Sequence, residues 1–417
     1  MRILVVGGGG REHALAWRLQ QAGHDVCCAP GNGGTPNNRP VPADDVAALV
    51  RLAVEEAVEL VVVGPEVPLV AGLVDALEAA GVAAFGPRAA CARLEGSKAF
   101  SKAAMLRWGV PTAEAVTVRS LEEGLAALER FARPPVVKAS GLAAGKGVLV
   151  PEDRAGAEAA LRTMFVERAF GDAAEEVVLE ERLVGREVSV LALCSGTTYR
   201  LLVPAQDHKR LLDGDAGPNT GGMGAFAPSG TLPPALLAEV GDTMIAPILT
   251  GMAADGTPYV GILYAGVMLT DAGPKVLEYN CRFGDPEAQV ILPLWDGDPA
   301  EAMVAAVQGR LHEVELRWKA ATAVTVVMAA EGYPDSPRRG DLINGLDAAA
   351  DAGCTVFHAG TVASPDGVRT AGGRVLAVTA VAPGLDDAVA TAYAGVDAIS
   401  FAGARFRRDI GRPSEGT

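Results

Sequence analysis

Apolar and polar residues alternate in regular blocks over residues 1–100. Nearly continuous apolar runs such as 2–7 and 59–64 are typical of buried strands, whereas the segments between them repeat apolar residues with the period of a helix. The predicted order is strand, helix, strand, helix, strand, helix, strand. Continuous apolar strands joined by helices indicate a parallel sheet covered on both faces. We therefore predict a Rossmann-like α/β domain over residues 1–100.

The pattern becomes mixed after residue 100. Between residues 101 and 293, short strands and helices alternate with little regularity, which is typical of α+β packing, and a helix is predicted near 234–254. From residue 322 to residue 417, short strands and one helix near 385–395 predict a small β-rich domain. The chain of 417 residues is therefore predicted to be a multidomain protein with α/β and α+β parts.

Net charge and cysteine spacing limit the class of protein. The formal charge is −15 at pH 7, whereas nucleic-acid-binding surfaces are basic, so we expect no nucleic-acid partner. No run of about 18 apolar residues is free of charges, Gly and Pro, so no membrane span is predicted. The six cysteines lack metal-ligand spacing and are expected to be reduced thiols of a cytoplasmic protein.

Two glycine-rich loops follow the first two predicted strands. Gly7–Gly10 and Pro30–Gly34 both lie at the carboxyl edge of the sheet, where open α/β sheets bind ligands. The dinucleotide fingerprint G-x-G-x-x-G requires a third glycine where this chain has Glu12. A small phosphate-bearing molecule at the start of the first helix therefore fits better than NAD. A tight turn without ligand and a Rossmann-type dehydrogenase remain alternatives.

A third glycine-rich stretch, VVKASGLAAGKGVLV, runs from Val136 to Val150 between two predicted strands. It is not a P-loop, because Lys146 is followed by Gly147 and more strand rather than by Ser or Thr and a helix. A glycine-rich hairpin can close over a triphosphate and donate backbone N–H groups to it. Lys138 precedes the glycines and is expected to point toward a pocket. The alternative is an ordinary hairpin with a solvated lysine.

Polar residues are concentrated in two further segments. Acids occur at Glu180, Glu181 and Glu187, where a solvated face is the alternative interpretation. The segment QDHKR is followed by GPNTGGMGAF, and together they form a long, glycine-dense stretch from Gln206 to Phe226. Irregular segments of this length inside a compact domain are usually functional.

The segment VLEYNCRFGDPE carries polar residues on a predicted strand. Residues two apart share a face, so Glu278, Asn280 and Arg282 are predicted on one face, with Leu277 and Tyr279 on the other. A carboxylate beside an amide oxygen suits Mg²⁺, which prefers oxygen ligands. The arginine suits a carboxylate or phosphate, which it can bind in bidentate fashion. A buried structural salt bridge is the alternative.

Taken together, these motifs resemble one known family. GGGGREHALAW, PGNGG, EGSKAFSK, KASGLAAGKGV, AQDHKR, GPNTGGMGAFAP, EYNCRFGDPEAQ and GGRVLAVTA occur in this order along nearly the whole chain. The set is similar to the ATP-grasp enzymes and, among them, to the phosphoribosylamine–glycine ligases. Ser140 stands where that family commonly has an aspartate.

The resemblance implies a fold and a reaction. It implies an N-terminal Rossmann-like domain over 1–100, an ATP-grasp domain of two α+β lobes over 101–293, and a small cap over 322–417. Within the middle domain, a lobe at about 117–190 would be a mobile lid over ATP. The implied reaction joins glycine to 5-phosphoribosylamine with ATP and gives glycinamide ribonucleotide, ADP and phosphate. Another carboxylate–amine ligase with a different acceptor amine is the first alternative, and a non-catalytic nucleotide-binding module is a second.

The resemblance also implies a role for individual residues. Catalytic roles fall to Arg282, Asp207 and Lys138. ATP contacts fall to Lys102, Lys138, Gly141, Gly145, Lys146, Gly147, Glu180, Glu181, Leu183 and Glu187. Glu278 and Asn280 would hold Mg²⁺ or Mn²⁺. The ribose 5-phosphate would lie against Gly8, Gly9, Gly10, Arg11, Glu12, His13, Pro30, Gly31, Asn32 and Gly33. Further substrate contacts, mainly with glycine, are implied for Glu66, Asp207, Lys209, Asn219, Thr220, Gly221, Gly222, Met223, Arg282, Gly284 and Asp285. The expected partners are these small molecules alone, and the chain is expected to be a monomer or weak dimer.

Overall fold

The computed structural model describes residues 1–143 and 146–412, and its N-terminal part is the predicted parallel sheet. In chain order its elements are β1 (Arg2–Gly7), α1 (Gly10–Gln21), β2 (Asp25–Pro30), α2 (Val46–Glu55), β3 (Leu60–Val63), α3 (Glu66–Val70), α4 (Leu73–Ala79), β4 (Ala84–Phe85), α5 (Ala89–Gly96) and α6 (Lys98–Arg107). The sheet order is β2-β1-β3-β4, and every pair is parallel. The predicted α/β architecture of this part is therefore confirmed.

One predicted helix of this part is broken in two. The apolar pattern from Pro68 to Gly81 predicts a single helix, but α3 ends at Val70 and α4 begins at Leu73. Gly72 lies between them with a φ of 86°, which is a left-handed conformation that glycine adopts without steric cost. Hydrophobic periodicity does not report such a change of direction.

A separate lobe follows α6. Its elements are β5 (Ala115–Val118), α7 (Leu121–Ala127), β6 (Val136–Ala139), β7 (Val148–Leu149), α8 (Arg154–Phe165) and β8 (Val177–Glu180). The antiparallel sheet has the order β5-β8-β6-β7, and α7 and α8 pack on it. The lobe has its own apolar core, which includes Val137, Leu161 and Leu179.

The second lobe is built on a longer antiparallel sheet. Its elements are β9 (Arg186–Ser195), β10 (Thr198–Leu201), β11 (Gln206–Asp207), β12 (Arg210–Leu212), β13 (Ala216–Asn219), β14 (Gly224–Ala227), α9 (Pro234–Val240), a π-helical turn (Gly241–Ile245), α10 (Ala246–Ala254), β15 (Val260–Thr270), β16 (Gly273–Asn280), α11 (Ala288–Leu294), β17 (Trp295–Asp296), α12 (Pro299–Val307) and β18 (Arg317–Trp318). The main sheet has the order β10-β9-β15-β16.

The helical run Pro234–Ala254 passes a test of length and hydropathy for crossing a membrane. Its mean hydropathy is 1.3 over the best window, of which 44% is buried within the protein. Val240, Met244, Ile248 and Met252 belong to the main apolar core of the molecule. The core helix of a globular domain passes the same test, so this single run is weak support for a membrane span.

The C-terminal part shares its sheet with the preceding segment of the chain. Its elements are β19 (Thr322–Ala329), α13 (Leu346–Asp351), β20 (Thr355–His358), β21 (Thr361–Ser364), β22 (Gly367–Thr370), β23 (Arg374–Ala382) and α14 (Leu385–Ala398). The sheet order is β11-β14-β19-β23-β20, so two of its five strands come from the preceding segment. There are also two helices in the described part of this region rather than one. A two-residue strand such as β11 has no periodicity that a sequence pattern can show.

Two histidines lie at the contact between the N-terminal and C-terminal parts. The ring of His13 packs edge-on against Phe357 at 5.7 Å, and its Nδ1 accepts the backbone N–H of His358 at 2.8 Å. Burial lowers the pKa of His13 to about 3, and burial lowers the pKa of His358 to about 4. Both rings are therefore neutral in the folded protein at pH values where an unfolded histidine is protonated.

This contact predicts a loss of stability in acid. Below the ordinary histidine pKa of about 6.5, the unfolded state binds protons that the folded state excludes, so stability falls by up to about 1.4 kcal/mol per pH unit for each histidine. Thermal unfolding measured from pH 7.5 to pH 4 should show this fall, and His13→Gln should make it shallower. An equally steep fall in the variant would contradict the assignment.

Candidate active site

One large cavity lies where the parts of the chain meet. Its volume is about 630 Å³. The N-terminal part contributes Arg11 and Glu66, the lobe that contains β6 contributes Lys138, the strand β16 contributes Glu278, and the C-terminal part contributes Arg374. Four of the lining residues are lysines, whose ammonium groups can each contact a phosphate as a point charge.

A buried cluster of two lysines and one carboxylate forms one wall. The strands β6 and β8 pair in antiparallel register with Lys138 opposite Val178 and Glu180 opposite Val136, which makes the two charged residues diagonal neighbours. Lys138 Nζ lies 2.7 Å from Glu180 Oε2, and Lys102 Nζ lies 3.3 Å from Glu180 Oε1. Lys102 also donates to Thr112 Oγ1 at 2.7 Å.

The two lysines differ in pKa. Burial opposes the charge on Lys138, but the carboxylates of Glu180 and Glu278 outweigh it and raise the pKa above its ordinary value. Burial lowers the pKa of Lys102. Glu180 only partly opposes this effect, because its contact with Lys102 is longer, and Lys138 adds to it as a second positive charge nearby. Glu180 is the carboxylate in contact with both ammonium groups, and an anionic ligand beside Lys102 would add negative charge where burial is not fully compensated.

The strand β16 brings Glu278 to the floor of the cavity. Burial opposes its charge, but Lys209, Lys138 and Lys98 outweigh that effect and hold the pKa of Glu278 below its ordinary value. Tyr279 also borders the cavity, but its ring belongs to the apolar core and its hydroxyl donates to the carbonyl of Met244 at 2.6 Å, so its side chain points away as predicted.

The prediction for Leu277 was wrong. Glu278 is opposite Gly266, but Val276 is opposite Val267, so Leu277 is an extra residue on this strand. Such a bulge interrupts the alternation of faces, and Leu277 lines the cavity beside Glu278.

Arg282 lies just beyond the end of β16 and is surrounded by acceptors. Its Nη2 lies 2.7 Å from Glu95 Oε1 and donates to Asn280 Oδ1 at 3.1 Å. Its Nε lies 3.5 Å from Glu66 Oε2. Arg282 therefore forms the buried salt bridge that was the alternative interpretation, and its side chain also lines the cavity. The salt bridge does not exclude the predicted role in ligand binding, which stays a prediction.

The polar segment after β11 supplies a third wall. Lys209 is ion-paired with Glu187, and Asn219, Thr220 and Gly221 line the cavity beyond it. Burial raises the pKa of Asp207 well above its ordinary value, and Lys209 only partly opposes this. The segment is held from the C-terminal part, because Arg374 Nη1 donates to the carbonyl of Gly221 at 2.6 Å.

The two N-terminal glycine loops do come together, but they pack against each other. Gly31 N–H donates to the carbonyl of Gly7 at 3.1 Å, and Asn32 Nδ2 donates to the carbonyls of Gly8 at 3.1 Å and His358 at 2.7 Å. Glu12 Oε2 accepts the N–H of Gly9 at 2.6 Å, so this acid caps α1. Its carboxyl group fills the space beside Gly64, where an added Cβ would lie 2.2 Å from Glu12 Oε1. A dinucleotide fingerprint does not fit here.

The predicted site residues divide into two groups. The following line the cavity: Arg11, Glu66, Lys102, Lys138, Gly147, Glu180, Glu181, Leu183, Glu187, Asp207, Lys209, Asn219, Thr220, Gly221, Glu278, Asn280, Arg282 and Asp285. Among the described residues, the following do not: Gly8, Gly9, Gly10, Glu12, His13, Pro30, Gly31, Asn32, Gly33, Gly141, Lys146, Gly222, Met223 and Gly284. Gly145 lies outside the described residues.

Residues of the second group have identifiable neighbours. His13 packs on Phe357 and His358, and Met223 is fully buried with its N–H donated to the carbonyl of His208 at 2.7 Å. Gly9 would place a Cβ 3.3 Å from Asp285 Oδ2, so the glycine loop lies directly behind a residue that lines the cavity. The substrate roles of this group stay predictions.

Several cavity residues were not singled out in the sequence. They are Glu95, Lys98, Tyr264, Glu287 and Arg374. Glu287 Oε1 accepts the hydroxyls of Tyr264 at 2.7 Å and Ser189 at 3.0 Å. All of them except Tyr264 occur inside the motifs quoted above, so the sequence did indicate that their segments matter. Only the tertiary structure shows that their side chains line one cavity.

The donor set for a metal is small. Over residues 1–143 and 146–412, no group of three or more His, Cys, Asp or Glu side chains is arranged to hold a metal ion. Glu278 and Asn280 both line the cavity and offer one carboxylate and one amide oxygen. This pair fits Mg²⁺, which usually takes only one or two protein ligands and completes its shell with water and phosphate oxygens.

Two antiparallel lobes that enclose a lysine-lined cavity, with a glycine-rich hairpin on one of them, define an ATP-grasp enzyme. Family models for phosphoribosylglycinamide synthetase match most of the chain in order: the N domain matches residues 1–95, the ATP-grasp (A) domain matches 96–288, and the C domain matches 323–413. The chain belongs to the phosphoribosylglycinamide synthetase family. The resemblance drawn from its motifs is confirmed.

Individual relatives agree with the family. The chain is 49% identical over 419 residues to the phosphoribosylamine–glycine ligase of Allochromatium vinosum, with 99% of this chain and 98% of the relative covered. It is also 49% identical to the trifunctional purine biosynthetic protein adenosine-3 of Gallus gallus, but it spans only 42% of that protein. The crystal structure of the phosphoribosylamine–glycine ligase of Thermotoga maritima superposes with a TM-score of 0.84 at 33% identity, covering 98% of this chain and all of that one.

Proposed function

We propose that this chain joins glycine to 5-phosphoribosylamine and converts ATP to ADP and phosphate, giving glycinamide ribonucleotide in de novo purine biosynthesis. The names of its full-length relatives support this reaction. The observation that carries it is the single cavity that unites Lys138, Glu278 and Arg282. These side chains suit a polyphosphate, a metal ion and a carboxylate substrate respectively, which is the combination that an ATP-dependent carboxylate–amine ligase binds.

In the first step a carboxylate oxygen of glycine attacks the γ-phosphorus of ATP. The bond from that phosphorus to the β,γ-bridging oxygen breaks, ADP leaves, and glycyl phosphate forms. Negative charge is redistributed over the phosphoryl oxygens during the transfer. Lys138 and Lys102, which are fixed around Glu180, can stabilise this charge. Little covalent chemistry is required of the protein, so positioning by Arg282 and the lysines is its main contribution.

In the second step the amine of phosphoribosylamine attacks the acyl carbon. The carbon–oxygen bond to phosphate breaks, and the departing phosphate takes the proton that the nitrogen loses. Glycyl phosphate is readily hydrolysed, so water must be excluded until the amine arrives. The hairpin that begins at Gly141 lies on a lobe with its own core, and closure of that lobe over the cavity would serve this purpose.

We assign Mg²⁺, or Mn²⁺ in its place, to Glu278 and Asn280. Bound there, the ion would neutralise phosphate charge during transfer. The surrounding lysines hold Glu278 ionised against the opposing effect of burial, and an ionised carboxylate suits a metal ligand. Other predictions also remain proposals. They are the domain limits 1–100, 101–293 and 322–417, the lid at about 117–190, and the individual ATP and substrate contacts. A cytoplasmic location and a monomer or weak dimer are likewise proposed.

The reaction can be tested by measuring ADP release from purified protein with ATP and Mg²⁺. Glycine and freshly generated phosphoribosylamine are added singly and together, and turnover is expected only with both. A folded, ATP-binding protein that fails to turn over with both would contradict the proposal. A panel of other amines would then test the alternative, a ligase of the same fold with a different acceptor.

A further inference from the structure

Glu95, at the end of α5, is a buried carboxylate that contacts the consecutive residues Cys281 and Arg282. Its side chain is 7% exposed and lines the cavity. Oε1 lies 2.7 Å from Arg282 Nη2, and Oε2 accepts the backbone N–H of Cys281 at 2.7 Å. Both carboxylate oxygens of Glu95 therefore have a partner just beyond the end of β16, in the segment that carries Arg282.

The charge on Glu95 is compensated mainly by Arg282. Burial raises the pKa of Glu95, and the Arg282 guanidinium opposes this, while Glu66 adds to it as a second negative charge. A buried carboxylate in this position is costly unless it is paired and hydrogen-bonded. The arrangement thus joins α5 firmly to the start of the 281–287 segment.

The guanidinium of Arg282 is fixed at one end and free at another. Nη2 contacts Glu95 and Asn280, and Nη1 donates to the carbonyl of Phe283 at 3.2 Å. Nε is buried and has no hydrogen-bond partner in the described part of the chain, although Glu66 Oε2 lies 3.5 Å away. A buried donor without an acceptor is unfavourable, and a carboxylate oxygen entering the cavity would satisfy it.

We propose that Glu95 is a positioning residue for Arg282. Glu95 contacts both Arg282 Nη2 and the main chain of Cys281, so the guanidinium cannot turn fully toward Glu66. The Nε–H group of Arg282 therefore stays available to the carboxylate of glycine. Without Glu95, the nearest remaining acid is Glu66, and the guanidinium would pair with it. This inference rests on the proposed function, in which Arg282 binds the glycine carboxylate.

The first test is steady-state kinetics of Glu95→Gln. We expect the KM for glycine to rise by roughly tenfold or more, because misplacement of a binding group by about 1 Å can have effects of this size. The KM for ATP should stay within about twofold, because ATP is assigned to other residues. A merely structural role would instead change both KM values together or lower the amount of folded enzyme.

A matched control is Glu56→Gln. Like Glu95, Glu56 is a carboxylate paired with arginine: it contacts Arg2 and Arg39, but it does not line the cavity. Its replacement should leave the KM for glycine within about twofold of the wild-type value.

The decisive test is a double-mutant cycle with Arg282→Lys. If Glu95 acts through Arg282, then Glu95→Gln should add little to the glycine KM once Arg282→Lys is present. Equal effects of Glu95→Gln in both backgrounds would overturn the inference. If Arg282→Lys alone leaves the glycine KM unchanged, the assignment of Arg282 in the proposed function fails, and the role of Glu95 fails with it.

A conservative variant covers the case in which Glu95→Gln does not fold. Glu95→Asp keeps the charge but shortens the side chain, so it cannot reach Arg282 and Cys281 in the same way. We expect a smaller rise in the glycine KM, with the KM for ATP unchanged. A glycine KM equal to that of the wild type would overturn the inference.

Discussion

Glu278→Gln should reduce turnover with ATP, glycine and phosphoribosylamine by roughly a thousandfold, which is the upper range for removal of one electrostatic contact in an active site. Glu278 is the carboxylate that the lysines of the cavity surround, and their charges keep it ionised. The amide of glutamine has nearly the same shape but no charge, so it would hold a divalent metal poorly. The measurement is the rate of ADP release over a titration of Mg²⁺, which should show no recovery at high metal.

Asp271→Asn is a control on the same hairpin. Asp271 is an exposed acid in the turn between β15 and β16, so it shares the strands with Glu278 but lies outside the cavity. Its replacement should change turnover by less than about twofold. A Glu278→Gln enzyme that keeps more than a tenth of its activity would contradict the metal assignment, as would full recovery at high Mg²⁺.

The parallel sheet and the face of Tyr279 were predictable because they depend on local pattern. A strand that is buried on both faces is apolar throughout, as in Leu60–Val63, and alternation along β16 places Tyr279 in the core. The same rule failed for Leu277, because the bulge depends on how β16 pairs with β15 and not on its own residues. The break at Gly72 is similar, since a glycine within an apolar pattern permits a turn without requiring one.

The contacts that complete the candidate site come from distant parts of the chain. Glu95 and Arg282 are 187 positions apart in sequence, and Arg374 reaches Gly221 from the C-terminal part. No periodicity connects such residues, so sequence motifs could name them only through the family resemblance. The glycine loops illustrate the reverse case, because their pattern predicts an anion site while their N–H and carbonyl groups are partly occupied by Glu12 and Asn32.

Glu180→Gln should lower the free energy of unfolding by about 3–5 kcal/mol, which is the usual effect of removing one partner from a buried ion pair. The ammonium groups of Lys138 and Lys102 would remain 2.7 and 3.3 Å from an uncharged amide. Burial already opposes the charge on both lysines, and the carboxylate of Glu180 is a main source of compensation. Urea unfolding, followed by a probe within the lobe that contains β6 and β8, would measure the change.

Nucleotide binding should partly reverse this loss. If the phosphates of ATP lie against Lys138 and Lys102, they supply the negative charge that Glu180→Gln removes. A non-hydrolysable ATP analogue at a fixed excess should then raise the stability of the variant by more than it raises that of the wild type. An equal rise in the two proteins would mean that the phosphates lie elsewhere.

The control for this prediction is an exposed ion pair that includes an acid of the same lobe. Glu152 lies 3.2 Å from Arg182, and its side chain is 82% exposed. Solvated pairs of this kind contribute at most about 1 kcal/mol, because water screens both charges. Glu152→Gln should therefore have little effect on unfolding, with or without nucleotide. A loss for Glu180→Gln no larger than that for Glu152→Gln would show that the buried lysines are compensated by other groups, and the central electrostatic role given to Glu180 would be wrong.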